Sequence, residues 1–160
     1  MMTTQISRVV PTDPSRLSDL FFQAGDSVAD LAARREVGVD LLPTDLMTRS
    51  DATKVLQVLV ILLRCAIRHS VPKSRIRMEA AAADPCLRLM VVTDQPFVSH
   101  RQLLGIFERF CRDANGRERL YGGSGLHLAL CMLIARMIGG ELDVTSPSVL
   151  PGGFIFRLPC

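Results

Sequence analysis

The chain has 160 residues, enough for one domain with one core, and its 48% hydrophobic and 22% charged residues form an ordinary globular balance that excludes disorder. A net charge of +3, carried by scattered basic residues, is too small to point to nucleic acid. No run reaches the ~18 apolar residues of a membrane helix, and the polar stretch Met1–Ser7 lacks the apolar centre of a signal peptide, so membrane insertion is not expected and the location is read as cytoplasmic.

Aromatic residues make up only 5% and tryptophan is absent, so the core must be built from Leu, Ile, Val, Ala and Met. The five cysteines (Cys65, Cys86, Cys111, Cys131, Cys160) are odd in number and form no CxxC pair, which points to reduced thiols rather than a disulfide frame. Cys65 and His69 lie four apart and can share a helix face, but two ligands do not make a zinc site.

In chain order, Arg8–Thr12 reads as a short strand. Thr12 or Asp13 then offers an N-cap with Pro14 at the first helical position, and Leu17, Leu20, Phe21, Ala24, Val28 and Leu31 recur at helical spacing. Val37–Leu42 alternates as a strand, and Pro43-Thr44 turn the chain. Asp51 is a good N-cap for a second helix from Ala52 to about His69, apolar almost all round and therefore buried on most sides, with Pro72 ending it. Arg75–Ala80 and Leu87–Thr93 read as strands joined at Asp84-Pro85 into a hairpin.

Gln102–Arg112 reads as a short helix and Asp113–Gly125 as a polar, glycine-rich loop. Leu126–Ile138 is an apolar helix stopped by Gly139-Gly140. Leu142–Thr145 and Phe154–Leu158 are strands, turned at Pro151-Gly152-Gly153. The order β-α-β-α-β-β, then loop and helix, then a hairpin, predicts one α/β domain over 1–160. Its architecture is a two-layer sandwich of helices on one mixed β-sheet.

From Asp51 onward the pattern resembles the catalytic, ATP-binding domain of sensor histidine kinases, in the GHKL superfamily with its Bergerat fold. Asp51-x-x-Lys54-Val55-x-Gln57 followed by Leu62-Leu63-x-Cys65-Ala66-Ile67-Arg68-His69-Ser70 is similar to the family's N-box. Asp94 stands at the Asp of its G1 box, Ile106–Arg112 is similar to its F-box, and Gly122-Gly123-Ser124-Gly125-Leu126-His127 to its G2 box. Gly139-Gly140-Glu141-Leu142 and Gly153–Pro159 match its closing strands.

The resemblance implies ATP and Mg²⁺ as ligands. It implies that Asp94 accepts a hydrogen bond from the adenine amino group, that Arg68 and His69 stand where phosphates are contacted, and that Gly123, Gly125 and Leu126 offer backbone N–H groups at a helix start. It also implies Phe107 and Phe110 as anchors of a lid over Asp113–Gly122. Several positions depart from the family chemistry. The run Asp94-Gln95-Pro96-Phe97-Val98 has no glycine before Gly105, although glycines there would allow close backbone approach to a ligand. Ile61 and Cys65 stand where the N-box has Asn, and they share one face with Gln57. The second of those Asn residues ligates Mg²⁺ in the family. Magnesium prefers hard oxygen, which a thiol does not supply.

No phosphoacceptor is evident, since neither His69, His100 nor His127 is followed by Glu or Asp. The expected partner is therefore a histidine-bearing dimerisation hairpin or a response regulator. Gln102–Tyr121, with Arg109, Arg112, Arg117 and Arg119 and the apolar Leu120 and Tyr121, is the expected contact surface. Three functions stay open at this point. One is a degenerate phosphorelay domain with weak or lost ATP binding and a role through protein contacts. The others are a working Mg-ATP kinase acting on a separate hairpin, and an anti-sigma-factor-type serine kinase.

Overall fold

The computed structural model of the chain describes residues 13–95, 122–144 and 152–159. Along the chain these form strand β1 (Ser15–Arg16), helix α1 (Leu17–Arg34), strands β2 (Gly38–Leu41) and β3 (Met47–Thr48), and helix α2 (Ala52–His69). Strands β4 (Arg75–Ala83) and β5 (Cys86–Thr93), helix α3 (Gly122–Met137), and strands β6 (Glu141–Val144) and β7 (Gly152–Pro159) follow.

Five strands make one mixed sheet in the order β2-β4-β5-β7-β6. β2 and β4 are parallel, which requires a crossover, and α2 lies within it. The other neighbours are antiparallel. Alternation along each strand sends Ile76 and Met78, Leu87, Leu89 and Val91, and Phe154, Phe156 and Leu158 to one face, where they join the core. The opposite face carries Arg77, Glu79, Arg88, Met90, Ile155 and Arg157. α2 packs on α1 on one side and on α3 on the other. That central place explains why its apolar residues run nearly all round, with Val55, Val58, Leu59, Leu62, Leu63, Ala66 and Ile67 buried. The two-layer sandwich read from the sequence is the observed architecture.

Several boundaries differ from the sequence reading. Arg8–Thr12 and Gln102–Arg112 lie outside the described residues, as do Phe107 and Phe110. Helix α1 begins at Leu17 rather than at Pro14, and neither Thr12 nor Asp13 caps it. Its N-cap is Arg16, without a side-chain cap bond. The Leu17 N–H instead donates to the Leu46 carbonyl at 3.1 Å, because Ser15–Arg16 pairs with Met47–Thr48 in a small two-stranded sheet that alternation did not reveal. Val37 lies outside β2: its N–H closes the end of α1 on the Ala32 carbonyl at 2.9 Å, with Glu36 in the left-handed region at φ 56°.

β4 runs on to Ala83, past the expected end at Ala80. Pairing with β5 up to Ala83↔Cys86 outweighs the weak strand propensity of an alanine run. Helix α3 starts at Gly122, so the end of the expected Asp113–Gly125 loop is its first turn. Gly152 and Gly153 belong to β7, opposite Thr93 and Val92, and not to a turn. A Cβ on Gly153 would lie 2.5 Å from the Val91 carbonyl oxygen, so this strand needs glycine where it approaches its neighbour. β6 begins at Glu141, one residue earlier than expected, and Thr145 lies outside the described residues.

Candidate functional site

Asp94 follows β5 at the end of the sheet where β4 begins. Its carboxylate accepts a hydrogen bond from the Arg75 backbone N–H at 2.9 Å, and its own N–H donates to the Arg75 carbonyl at 3.1 Å. The residue is exposed. A carboxylate accepts up to about four hydrogen bonds, so the tie to Arg75 orients Asp94 and leaves acceptor capacity at the surface. Arg75 also grips Asp40 of β2 through its guanidinium, at 2.9 Å from Nε and 2.5 Å from a terminal nitrogen. That contact holds the Asp40 carboxyl below its ordinary pKa. One residue thus fixes both the Asp94 carboxylate and the edge strand. Sequence reasoning missed Arg75, because its role depends on strand register and no motif marks it.

The end of α2 lies at the same end of the sheet, six residues before Arg75. Arg68 and His69 are half-buried in its last turn. Burial, then the charges of Arg35 and Arg68, lower the His69 pKa, so the imidazole is neutral at pH 7. Toward that end of α2, the face of Gln57, Ile61 and Cys65 passes from exposed to half-buried to buried. Cys65 is 4% exposed, and burial pushes its thiol pKa up to about 12. Its sulfur is neutral and soft, and it offers no hard oxygen to a cation. On the facing helix Cys131 is also buried and its Sγ–H donates weakly to the Val58 carbonyl at 3.7 Å. Among the described residues no group of three or more His, Cys, Asp or Glu is placed to hold a metal ion.

Gly123 lies in the opening turn of α3, where the leading backbone N–H groups have no helical acceptor and favour an anion, while Gly125 and Leu126 are its fourth and fifth residues, whose N–H groups have acceptors within the helix. The far end of α3 is fixed against β7: a Cβ on Gly140 would meet the Arg157 carbonyl oxygen at 2.7 Å and the Phe156 ring at 2.9 Å. Phe156 and Arg157 lie at the end of the sheet away from Asp94. The structure therefore gathers Asp94, Arg68 and His69 at one end and carries Ile61 and Cys65 progressively inward. The expected anchors Phe107 and Phe110 and the lid up to Tyr121 lie outside the described residues. Among the described helices none is long and apolar enough to cross a membrane.

The sequence profile of the family described as "Histidine kinase-, DNA gyrase B-, and HSP90-like ATPase" matches residues 50–160. The chain belongs to this family. A relative similar in sequence is the signal transduction histidine-protein kinase BaeS of Escherichia coli (strain K12), 31% identical over 130 residues, 81% of this chain and 28% of that protein. The chain thus spans less than a third of that kinase. In structure the chain is similar to the mycobacterial sensor histidine kinase MprB, with a TM-score of 0.68 at 24% identity over 92% of this chain and 97% of the other. The catalytic domain of histidine kinase ThkA gives a TM-score of 0.71 at 20% identity over 92% and 96%. At these identities the two structures speak for the fold, which is that of histidine kinase catalytic domains. The family is described as one of ATPases, and the relatives named here are histidine kinases.

Proposed function

We propose that the chain is a histidine-kinase-type catalytic domain of a two-component phosphorelay in which nucleotide handling is weak or lost and the remaining role runs through protein contacts. The observation that carries this reading is Cys65. It stands where the resemblance implies the magnesium amide, and it is a buried, neutral thiol. Ile61, the other altered N-box position, packs against the core with an apolar side chain. The G1 segment lacks its glycines. Removing a buried polar interaction costs about 1–3 kcal/mol, so several such changes together lower ATP affinity by several kcal/mol relative to a family member with the full set. The partner would be a hairpin bearing the acceptor histidine, or a response regulator, in the cytoplasm.

Residual nucleotide binding would use the exposed Asp94 carboxylate for the base and the glycine-led start of α3 for phosphate. Magnesium would add little to it. The test is calorimetry with ATP, with and without Mg²⁺. The expected result is weak binding that is the same in both conditions. A dissociation constant in the low micromolar range overturns the degenerate reading in favour of a working kinase domain. Strong enhancement by the metal shows that another residue ligates it.

A further inference from the structure

The face of the sheet away from the helices carries an ion-pair pattern with one member missing. Arg77 pairs with Glu79 at 3.3 Å and Arg157 with Asp143 at 2.5 Å, and Asp40 is taken by Arg75. Between them, Arg88 of β5 stands directly opposite Arg157 of β7, a like-charge juxtaposition that costs stability. Among the described residues Arg88 has no hydrogen-bond or ion-pair partner, and its Nε is shut off from solvent. Glu141 lies on the far side of Arg157, two strands away. Two residues along β5, Met90 pairs with Ile155, and both are half-buried. The face therefore presents an apolar pair beside a guanidinium that lacks a carboxylate.

The outer surface of α1 carries the complement. Phe22 is 70% exposed, the most exposed large apolar side chain among the described residues. Asp19 and Asp26 flank it on the same side of the helix and are themselves exposed, and among the described residues neither has an ion pair. Phe22 and Asp26 are separated by about 6 Å along a helix axis, and Met90 and Arg88 by about 6.6 Å along a strand, so the two spacings match. The other apolar surface, Leu130, Leu133 and Met137 on α3, is accompanied by the exposed Arg136, a cation that does not complement Arg88.

We propose that the open face of the sheet receives helix α1 of a second copy of this chain, with Phe22 on Met90 and Ile155 and Asp26 on Arg88. The contact joins two different surfaces, so copies associate head to tail and assemble further with concentration. The inference is independent of nucleotide binding, since neither surface includes Asp94, Cys65 or the start of α3.

Sedimentation equilibrium from micromolar to millimolar concentration tests it. The wild-type mass should rise with concentration and fall back with added salt. Phe22→Asp removes one surface and Arg88→Glu the other, and each variant alone should run at the mass of one chain, with the dissociation constant raised about tenfold or more. Mixed in equal amounts, the two variants retain one intact surface each, and the mixture should reach the mass of two chains and stop there. Arg88→Gln replaces Arg88→Glu if thermal melting shows the latter to be misfolded. A wild type that stays single throughout overturns the proposal and leaves the sheet face to a different acidic partner. A variant that still assembles, or a mixture that stays single, overturns it equally.

Discussion

Cys65 concentrates the difference between this chain and a magnesium-dependent domain in one side chain. The prediction at this scale is Cys65→Asn. An amide in a site that is 4% exposed should lower stability by about 1–3 kcal/mol, read from the denaturation midpoint. It should also make ATP binding sensitive to Mg²⁺ where the wild type is indifferent. A variant that folds and binds ATP identically with and without the metal would show that this position does not control metal use. The altered residues were legible in the sequence because Asp51 and the flanking apolar pattern fix the register of α2. Burial of Cys65 was not, since its spacing only placed it on one face with Gln57, which the structure leaves exposed. The grip of Arg75 on both Asp94 and Asp40 was not, because it joins residues 19 and 35 positions apart through pairings that exist only after the sheet forms.

At the level of the element, the helix whose cap was recognised is also the one whose boundaries matched. Asp51 accepts from the N–H groups of Thr53 at 2.9 Å and Lys54 at 3.2 Å, and its second oxygen meets Lys54 Nζ at 3.2 Å. Asp51→Ala should cost about 1 kcal/mol. The ion pair adds little to that, because both partners are about a third exposed or more. The Lys54 backbone N–H above all holds the Asp51 carboxyl below its ordinary pKa. A depressed carboxylate stabilises the fold above the unfolded pKa of about 4 and loses that contribution as pH falls through the lower folded value. The mutational cost, measured by urea unfolding, should therefore be full at pH 7 and shrink as the pH is taken below 4. An undiminished cost in acid would mean that the cap does not act through its charge. Helix α1 shows the opposite case. Its start is set by the carbonyl of Leu46, distant in sequence, so side-chain capping rules pointed to Pro14 and missed the small sheet.

For the molecule as a whole, two buried thiols face the same core from neighbouring helices. Burial pushes the Cys65 thiol up to about 12 and moves Cys131 in the same direction. An unfolded thiol titrates at about 8.5. Between these values the unfolded chain loses protons that the folded chain keeps, so stability is full below the unfolded value and declines as pH rises toward 12. Each thiol contributes a slope of about 1.4 kcal/mol per pH unit in that window. Unfolding free energies between pH 8 and 11 should fall, and Cys65→Ala should remove roughly half of the thiol-dependent slope. A slope unchanged by Cys65→Ala would locate the alkaline sensitivity elsewhere. The layered fold was legible because periodicity changes cleanly between helix and strand. The open face of the sheet was not, since charged and apolar residues alternate there without announcing which of them find partners.

The strand order also has a consequence in time. β4 and β5 are joined by two residues, whereas β2 reaches β4 only after the whole of α2 has been spanned. Contacts close in sequence form early, and distant parallel pairings wait for the loop between them to close. Asp94 is therefore fastened when the central hairpin closes, and Asp40 arrives later, when β2 docks on β4. In native-state amide exchange, Val39–Leu41 should open well before Met78 and Val91, which pair near the middle of the hairpin. Arg75, which holds both carboxylates, would be the point at which a fraying molecule lets go of one while keeping the other.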